Sequence, residues 1–245
     1  MDRPVRRFRL EHGLNIRDMG GFETADGRMT AFGKLLRAGA LHNLTEEEWK
    51  RLTEYGVATV LDLRSQSEIE TAADAAPEGV EWFHCPIQTE QIDTKDISES
   101  AEKAFAGSLT EGYLNIVKNH GVLLAEAVKK LIAGLERGAV LFHCTAGKDR
   151  TGILASCIYY LCGIAEEDII ADYEVTYTYN KKGMDKLLGM LDEETRGRME
   201  PFMRSDAQSM ERLLEFYREI SLPEYLGQYG VTETELETLR NCFLK

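Results

Sequence analysis

Proline is scarce in this 245-residue chain, with five in all, and neither a Pro-rich spacer nor an internal repeat divides it. The length therefore reads as a single domain spanning 1–245. No stretch reaches the roughly 18–20 apolar residues of a membrane span, which excludes a transmembrane segment of that kind. The five cysteines, Cys85, Cys144, Cys157, Cys162 and Cys242, are odd in number and contain no CxxC spacing. A disulfide framework and a zinc site are thus not expected. Cys157 and Cys162 lie in an apolar run and read as buried thiols. Positive charge is in the minority: 29 Lys and Arg against 42 Asp and Glu give a net charge of −13. Such a surface repels a phosphate backbone, so nucleic acid is not an expected partner. Any anionic ligand must be captured by a local arrangement that overrides the global field. The start, MDRPVRRFRLEHG, carries Arg3, Arg6, Arg7 and Arg9 without a following apolar h-region. It reads as a solvated basic end rather than a signal peptide. The expected compartment is the cytoplasm, with export left open.

What remains is an ordinary globular composition, 43% hydrophobic and 29% charged. Asp26-Gly27 signals a turn between short β-like runs within 14–38. Thr45 to Glu48 is a capping-box pattern whose helix Gly56 closes. Val57 to Leu63 reads as a buried strand, and Ser65 to Glu68 is a second capping box directly after it. Glu81 to Ile87 is another strand candidate, and Gln88 to Thr110 is polar and loop-like. Leu124, Val128, Leu131, Ile132 and Leu135 recur at helical spacing, with Gly138 beyond them. Ala139 to His143 is an apolar strand. After a short Gly-containing loop, Ile153 to Leu161 fits a buried helix ending at Gly163. This is the grammar of an α/β domain. From Glu166 onward the chain reads as helices, with Lys181 to Ser209 polar and Met-rich.

The loop between strand and buried helix is HCTAGKDRTG, His143 to Gly152. Cys-x5-Arg alone recurs by chance, but His143, Gly147, Thr151 and Gly152 in place around it make the pattern specific. A loop feeding a helix N-terminus aims backbone N–H groups at one point, and the helix dipole adds positive potential there. Arg150 can fork onto two oxygens of a bound phosphate. The same field favours a thiolate at Cys144 and so a nucleophile. Thr145, Ala146 and Gly147 are small enough to let the loop wrap a tetrahedral anion.

HCTAGKDRTG resembles the signature of the cysteine-dependent protein tyrosine phosphatases. More narrowly it is similar to the bacterial tyrosine phosphatases, some secreted by pathogens, that act on phosphotyrosine, phosphoserine/threonine and phosphoinositides. NIRDMGG (Asn15 to Gly21), LLRAGAL (Leu35 to Leu41), VLDLRSQSE (Val60 to Glu68), IIADYEVT (Ile169 to Thr176) and the C-terminal LPEYLGQYGVTETELETLR carry the resemblance along most of the chain. Ala38 stands where the family often has serine. The resemblance implies a three-layer α/β fold, a central twisted sheet flanked by helices, with further C-terminal helices, about 165–220, as a cap over the site.

It also implies roles. Cys144 attacks phosphorus, and Arg150 with the loop amides of Thr145, Ala146, Gly147, Lys148 and Asp149 holds the equatorial oxygens. No metal or cofactor is called for, and a phosphate or sulfate ion fits the loop. Thr151 is read as a hydroxyl for the departing sulfur or a helix cap, and His143 as orienting the loop. The general acid is open among Asp149 in the loop, Asp62 at a strand end, and Asp93 or Asp96 in the polar segment. Lys148 is read as a holder of extra phosphates or a partner of Asp149, and Arg64 as a substrate contact or, preferably, a brace. Arg17 and Asp18 are read as structural. The expected partner is a phosphotyrosine protein or a phosphoinositide. Two readings of another class are a silent phosphate-binding module and a sulfur- or arsenate-handling enzyme.

Overall fold

Hydroxyl side chains set the helix starts that lead into the sheet. Thr45 accepts the Glu48 amide, and the Glu48 carboxylate returns to the Thr45 amide at 3.0 Å, opening α1 (Glu46–Glu54). Gly56, at φ +112°, then turns the chain into β3 (Val57–Asp62). Ser65 and Glu68 repeat the reciprocal cap at α2 (Gln66–Thr71). The computed structural model describes residues 6–87 and 108–245. Asp93, Asp96 and Arg3 lie outside the described residues.

β1 (Arg17–Asp18), β2 (Leu35–Ala38), β3, β4 (Glu81–His84) and β5 (Ala139–His143) form one sheet in the order β1-β2-β5-β3-β4. Only β1 runs antiparallel to its neighbour. β5 lies between β2 and β3 and is buried along its whole length. Its last residue, His143, pairs with both Ala38 and Asp62, so three strands end level there. In such sheets ligands bind beyond the carboxyl ends of the strands.

Alternate strand residues feed two cores, as the pleat requires. Leu35, Leu61, Val140 and Phe142 pack with α3 (Leu109–Asn119), α4 (Gly121–Leu135) and α5 (Asp149–Leu161). Leu36, Ala38, Val60 and Leu141 pack on the other face with Trp49 and Leu52 of α1. The result is the expected three-layer α/β fold. It continues through α6 (Glu166–Leu188), α7 (Glu193–Met203), α8 (Ala207–Glu219), α9 (Leu222–Gln228) and α10 (Glu233–Phe243).

Some elements differ from the sequence reading. The strand expected over Glu81 to Ile87 ends at His84. α3 begins at Leu109, inside the stretch read as loop, because Ser108 caps the Glu111 amide. α5 starts at Asp149, four residues before its apolar run, so the loop's last residues form its first turn. Lys181 to Ser209, by contrast, is helical for most of its length as read, in the end of α6, all of α7 and the start of α8.

One buried carboxylate ties the N-terminal, sheet and C-terminal parts together. Asp172 on α6 accepts Arg6 at 2.8 Å and Arg17 at 3.1 Å on Oδ1, and Arg37 at 2.7 Å on Oδ2. Arg17 also donates to the Asp172 carbonyl at 2.8 Å and the Thr176 hydroxyl at 3.0 Å. The basic start is therefore not simply solvated: Arg6 joins this cluster, and Arg7 stacks on Tyr179 at 3.9 Å. Burial alone would raise the Asp172 carboxyl, but Arg17, Arg37 and Arg6 outweigh it and hold it well below the usual carboxylate range. Burial, then repulsion from Arg37, brings Arg17 down to about 10.

Asp172→Asn leaves three arginines without a counter-charge and is expected to cost about 3–5 kcal/mol. Because folding depresses this carboxyl, its contribution is complete above the ordinary value of 3.8 and fades as pH falls below it. Urea unfolding of parent and variant at pH 7 and pH 2 checks this. The stability gap should narrow at the lower pH, and an equal gap at both would refute the assignment.

Candidate active site

Cys144 follows β5 directly and lies on the floor of the loop, 1% exposed. Three successive carbonyls of that loop are drawn outward. Thr145 O accepts the Ala40 amide at 3.0 Å. Ala146 O accepts Asn180 Nδ2 at 2.8 Å and Asn15 Nδ2 at 3.3 Å. Gly147 O accepts Asn15 Nδ2 at 2.9 Å and Arg37 at 3.1 Å. In a trans peptide the N–H lies opposite the C=O. The amides of Ala146, Gly147 and Lys148 are thereby turned to the inside of the loop, an arrangement that suits an anion.

The backbone there has no slack. Gly147 sits at φ +66°, and a Cβ at this position would lie 2.5 Å from Ala38 O. Asn15 is itself left-handed at φ +55°, a conformation asparagine tolerates. Its Oδ1 accepts Arg17, which links the loop to the Asp172 cluster.

Arg150, in the first turn of α5, is buried and paired in a fork with Glu68 of α2, at 2.6 and 2.9 Å. Glu68 also receives the Thr145 hydroxyl and the Ser65 amide. Burial would raise the Glu68 carboxyl, but Arg150 foremost holds it well below its ordinary range. Burial would lower Arg150, but its pairing with Glu68 foremost raises it. A guanidinium has five N–H donors, so the fork leaves others for a ligand.

Beneath the loop, His143 lies with Nε2 3.0 Å from Asp74 and 3.7 Å from Asp62. Arg64 bonds Asp62 through Nε at 2.9 Å and one terminal nitrogen at 2.6 Å, and Asp74 at 2.7 Å. It also bonds the Ala72 carbonyl at 2.8 Å. For Asp74, burial pulls upward, but His143 and Arg64 bring it below the carboxylate norm. Asp62, Asp74 and His143 are close enough to share a cation. The Arg64 guanidinium already occupies their oxygens, so the trio does not suit a metal. Asp62 and Arg64 are thus both buried and turned to each other.

Asp149 is one-fifth exposed at the start of α5. Its Oδ1 accepts the Tyr113 hydroxyl at 2.6 Å and lies 3.2 Å from Lys148 Nζ. Lys148 also donates to the carbonyls of Phe202 and, at 3.0 Å, Arg204, at the end of α7. Its ammonium is therefore engaged rather than presented. The Thr151 hydroxyl is fully buried and has no partner among the described residues. The structure thus gathers Cys144, Thr145, Ala146, Gly147, Lys148, Asp149, Arg150 and Thr151 in one turn, with His143, Asp62 and Arg64 as its underside.

Glu68, Asp74, Asn15, Arg37, Asn180 and Tyr113 join the site without having been singled out for it. Glu68 was visible only as a helix cap, and that same carboxylate forks onto Arg150. Asn15 and Arg37 lie in segments recognised as motifs but given no role. Asp74, Tyr113 and Asn180 carry no local signal, because only the fold brings them near.

A model described as the tyrosine phosphatase family matches residues 8–245. A Cupriavidus necator protein assigned as a tyrosine-protein phosphatase is 27% identical over 181 residues, covering 72% of this chain and 66% of its own. A Nostoc commune tyrosine-protein phosphatase is 33% identical over 147 residues, 59% of this chain and 48% of its own. The chain thus spans two thirds or less of the length of both. The Mycobacterium tuberculosis triple specificity protein phosphatase PtpB is 28% identical over 190 residues, 67% of each chain. Among solved structures, P. aeruginosa TpbA aligns over 76% of this chain and 89% of its own at 15% identity, with a TM-score of 0.38, too low to carry an argument. With the family match running from Phe8 through the loop to the last residue, the chain belongs to the tyrosine phosphatase family.

Proposed function

We propose that this protein hydrolyses phosphomonoesters through a phosphocysteine on Cys144. The main substrate is phosphotyrosine on protein, with phosphoserine/threonine or phosphoinositide as a further class. One observation carries the reading: Cys144 lies beneath three inward-turned amides, with Arg150 held in place by Glu68. Donors fixed before the substrate arrives need no reorganisation as charge moves on the phosphoryl oxygens, which is the main term in phosphoryl transfer.

In the first step Cys144 Sγ attacks phosphorus and the bond to the ester oxygen breaks. The electron pair goes to that oxygen, and Asp149 gives it a proton. In the second step water attacks phosphorus, Asp149 takes the water's proton, and the P–S bond breaks to return the thiolate. Thr151, whose hydroxyl has no partner among the described residues, donates to the sulfur as it leaves. Asp149 is preferred to Asp62 as the acid because Asp62 is fully buried and held by Arg64. His143, Asp62 and Arg64 brace the loop from below. No metal enters the scheme.

Cys144 is 1% exposed, so phosphorus must reach the floor of the loop. A phosphotyrosine ring carries its phosphate farther from the backbone than serine does, which favours phosphotyrosine over phosphoserine. A second phosphate of a lipid headgroup would have to draw Lys148 from the Phe202 and Arg204 carbonyls. The name of the PtpB relative, triple specificity, keeps the wider classes in view. A free phosphate or sulfate ion is the simplest occupant of the loop. We read the chain as one domain with α6 and α7 as its cap, on the contacts of Asn180 and Lys148. No helix among the described residues is long and apolar enough to cross a membrane. Five unpaired thiols suit the cytoplasm.

Turnover of an aryl phosphate and a phosphotyrosine peptide tests the reading. Cys144→Ser should abolish both, and a parent that releases no phosphate would favour the silent binding module instead. Asp149→Asn should lose about 10²-fold on poor leaving groups and far less on good ones. Asp62→Asn should act through loop stability, losing rate without regard to the leaving group.

The loop's supports give a second test. Glu68→Gln should lower kcat by about 10–10²-fold, because an ångström of drift in Arg150 costs on that order. Gly147→Ala should weaken orthophosphate inhibition along with turnover. Parent-like kinetics for Glu68→Gln would show that Arg150 is held by the loop alone.

A further inference from the structure

The two oxygens of Asp149 are not equivalent. Oδ1 accepts the Tyr113 hydroxyl at 2.6 Å and faces Lys148 Nζ at 3.2 Å. A proton on Oδ1 would face the Lys148 ammonium, which can only donate, and would displace the hydrogen bond that the Tyr113 hydroxyl gives. Protonation of Asp149 is therefore favoured on Oδ2. Tyr113 is not isolated either. Its oxygen lies 2.6 Å from the Tyr173 hydroxyl, and the rings meet edge to face at 6.1 Å and 87°. With the Tyr113 proton directed at Asp149, the Tyr113 oxygen accepts from Tyr173. Both tyrosines are buried, and burial foremost pushes both phenols above their ordinary range, so they remain neutral donors. Tyr113 comes from α3 and Tyr173 from α6, so the carboxyl is oriented by helices outside the loop.

We propose that Tyr113, itself fixed by Tyr173, is a positioning residue that orients Asp149 so that its transferable proton sits on Oδ2. This rests on Asp149 being the general acid. As the leaving oxygen takes that proton, negative charge develops on the carboxylate. The Tyr113 hydroxyl and Lys148 ammonium are already aimed at it and bind the ionised form more strongly than the neutral one. The pair of tyrosines thus assists most when proton transfer is most advanced, which is for poor leaving groups.

The test is kcat and KM across aryl phosphates of graded leaving-group acidity. It compares the parent, Tyr113→Phe, Tyr173→Phe, Asp149→Asn and the double variant Tyr113→Phe/Asp149→Asn. Tyr113→Phe should lose about 10-fold in kcat at the poor-leaving-group end and under about 2-fold at the good end, with KM unchanged. Tyr173→Phe should show the same trend at smaller size, and it carries the test if Tyr113→Phe fails to fold. In the Asp149→Asn background, Tyr113→Phe should remove nothing further, because the group it orients is gone. A loss equal across leaving groups, or one that adds to Asp149→Asn, overturns the proposal while leaving the acid assignment standing. If Asp149→Asn itself shows no leaving-group trend, the acid assignment fails and the role of Tyr113 falls with it.

Discussion

The contact on which most else depends is the meeting of Arg6, Arg17 and Arg37 at Asp172. Each arginine comes from a different part of the N-terminal third, and the carboxylate comes from α6, far along the chain. Two of the three then reach the loop: Arg37 through the Gly147 carbonyl, and Arg17 through Asn15, which holds Ala146 and Gly147. The shape of the Cys144–Thr151 loop is thus set from behind by a buried ionic cluster. The loop's own side chains add ties to Glu68, to Tyr113 and to the end of α7.

That cluster also relocates the source of positive potential. In a chain of −13, the loop cations Lys148 and Arg150 were the natural candidates. In the structure Arg150 is forked onto Glu68, and Lys148 lies beside Asp149 with its donors on two carbonyls. The excess lies instead at Asp172, where three guanidinium groups face one carboxylate. Burial makes that imbalance costly to fold around, and the low setting of Arg17 reflects it. The same burial shields it from screening, so it acts on the loop at close range while the surface stays acidic.

Much of this was legible in the chain. Capping boxes at Thr45 and Ser65, the apolar run of β5 and the glycine stops at 56 and 163 are local signals, and local physics honours them. The loop was legible because its residues are consecutive. Its supports were not. Asp172 lies over a hundred positions from Arg17 and Arg37, and nothing in a window around any of them announces the pairing. Glu68 shows the subtler limit: its role as a helix cap was plain, and that role hid the other. Strand length erred because the pairing of β4 with β3 runs out with a last bond from the Cys85 amide to Asp62, and a strand ends where its pairing does.

The central placement of β5 has a consequence for how such a chain can change length. Its five residues run between two parallel neighbours, and His143 is level with Ala38 and Asp62 at once. Side chains alternate faces at each step along a strand. One residue gained or lost between Gly138 and His143 would send the thiol of Cys144 to the opposite side of the sheet. Compensation would need both flanking registers to adjust, and only the β3 side already carries an irregularity, between Val57 and Thr59. Insertions can be absorbed at an exposed turn such as Asp26-Gly27. In β5, length itself sets where Cys144 points, so a single-codon indel there would move the loop even if every side chain is retained.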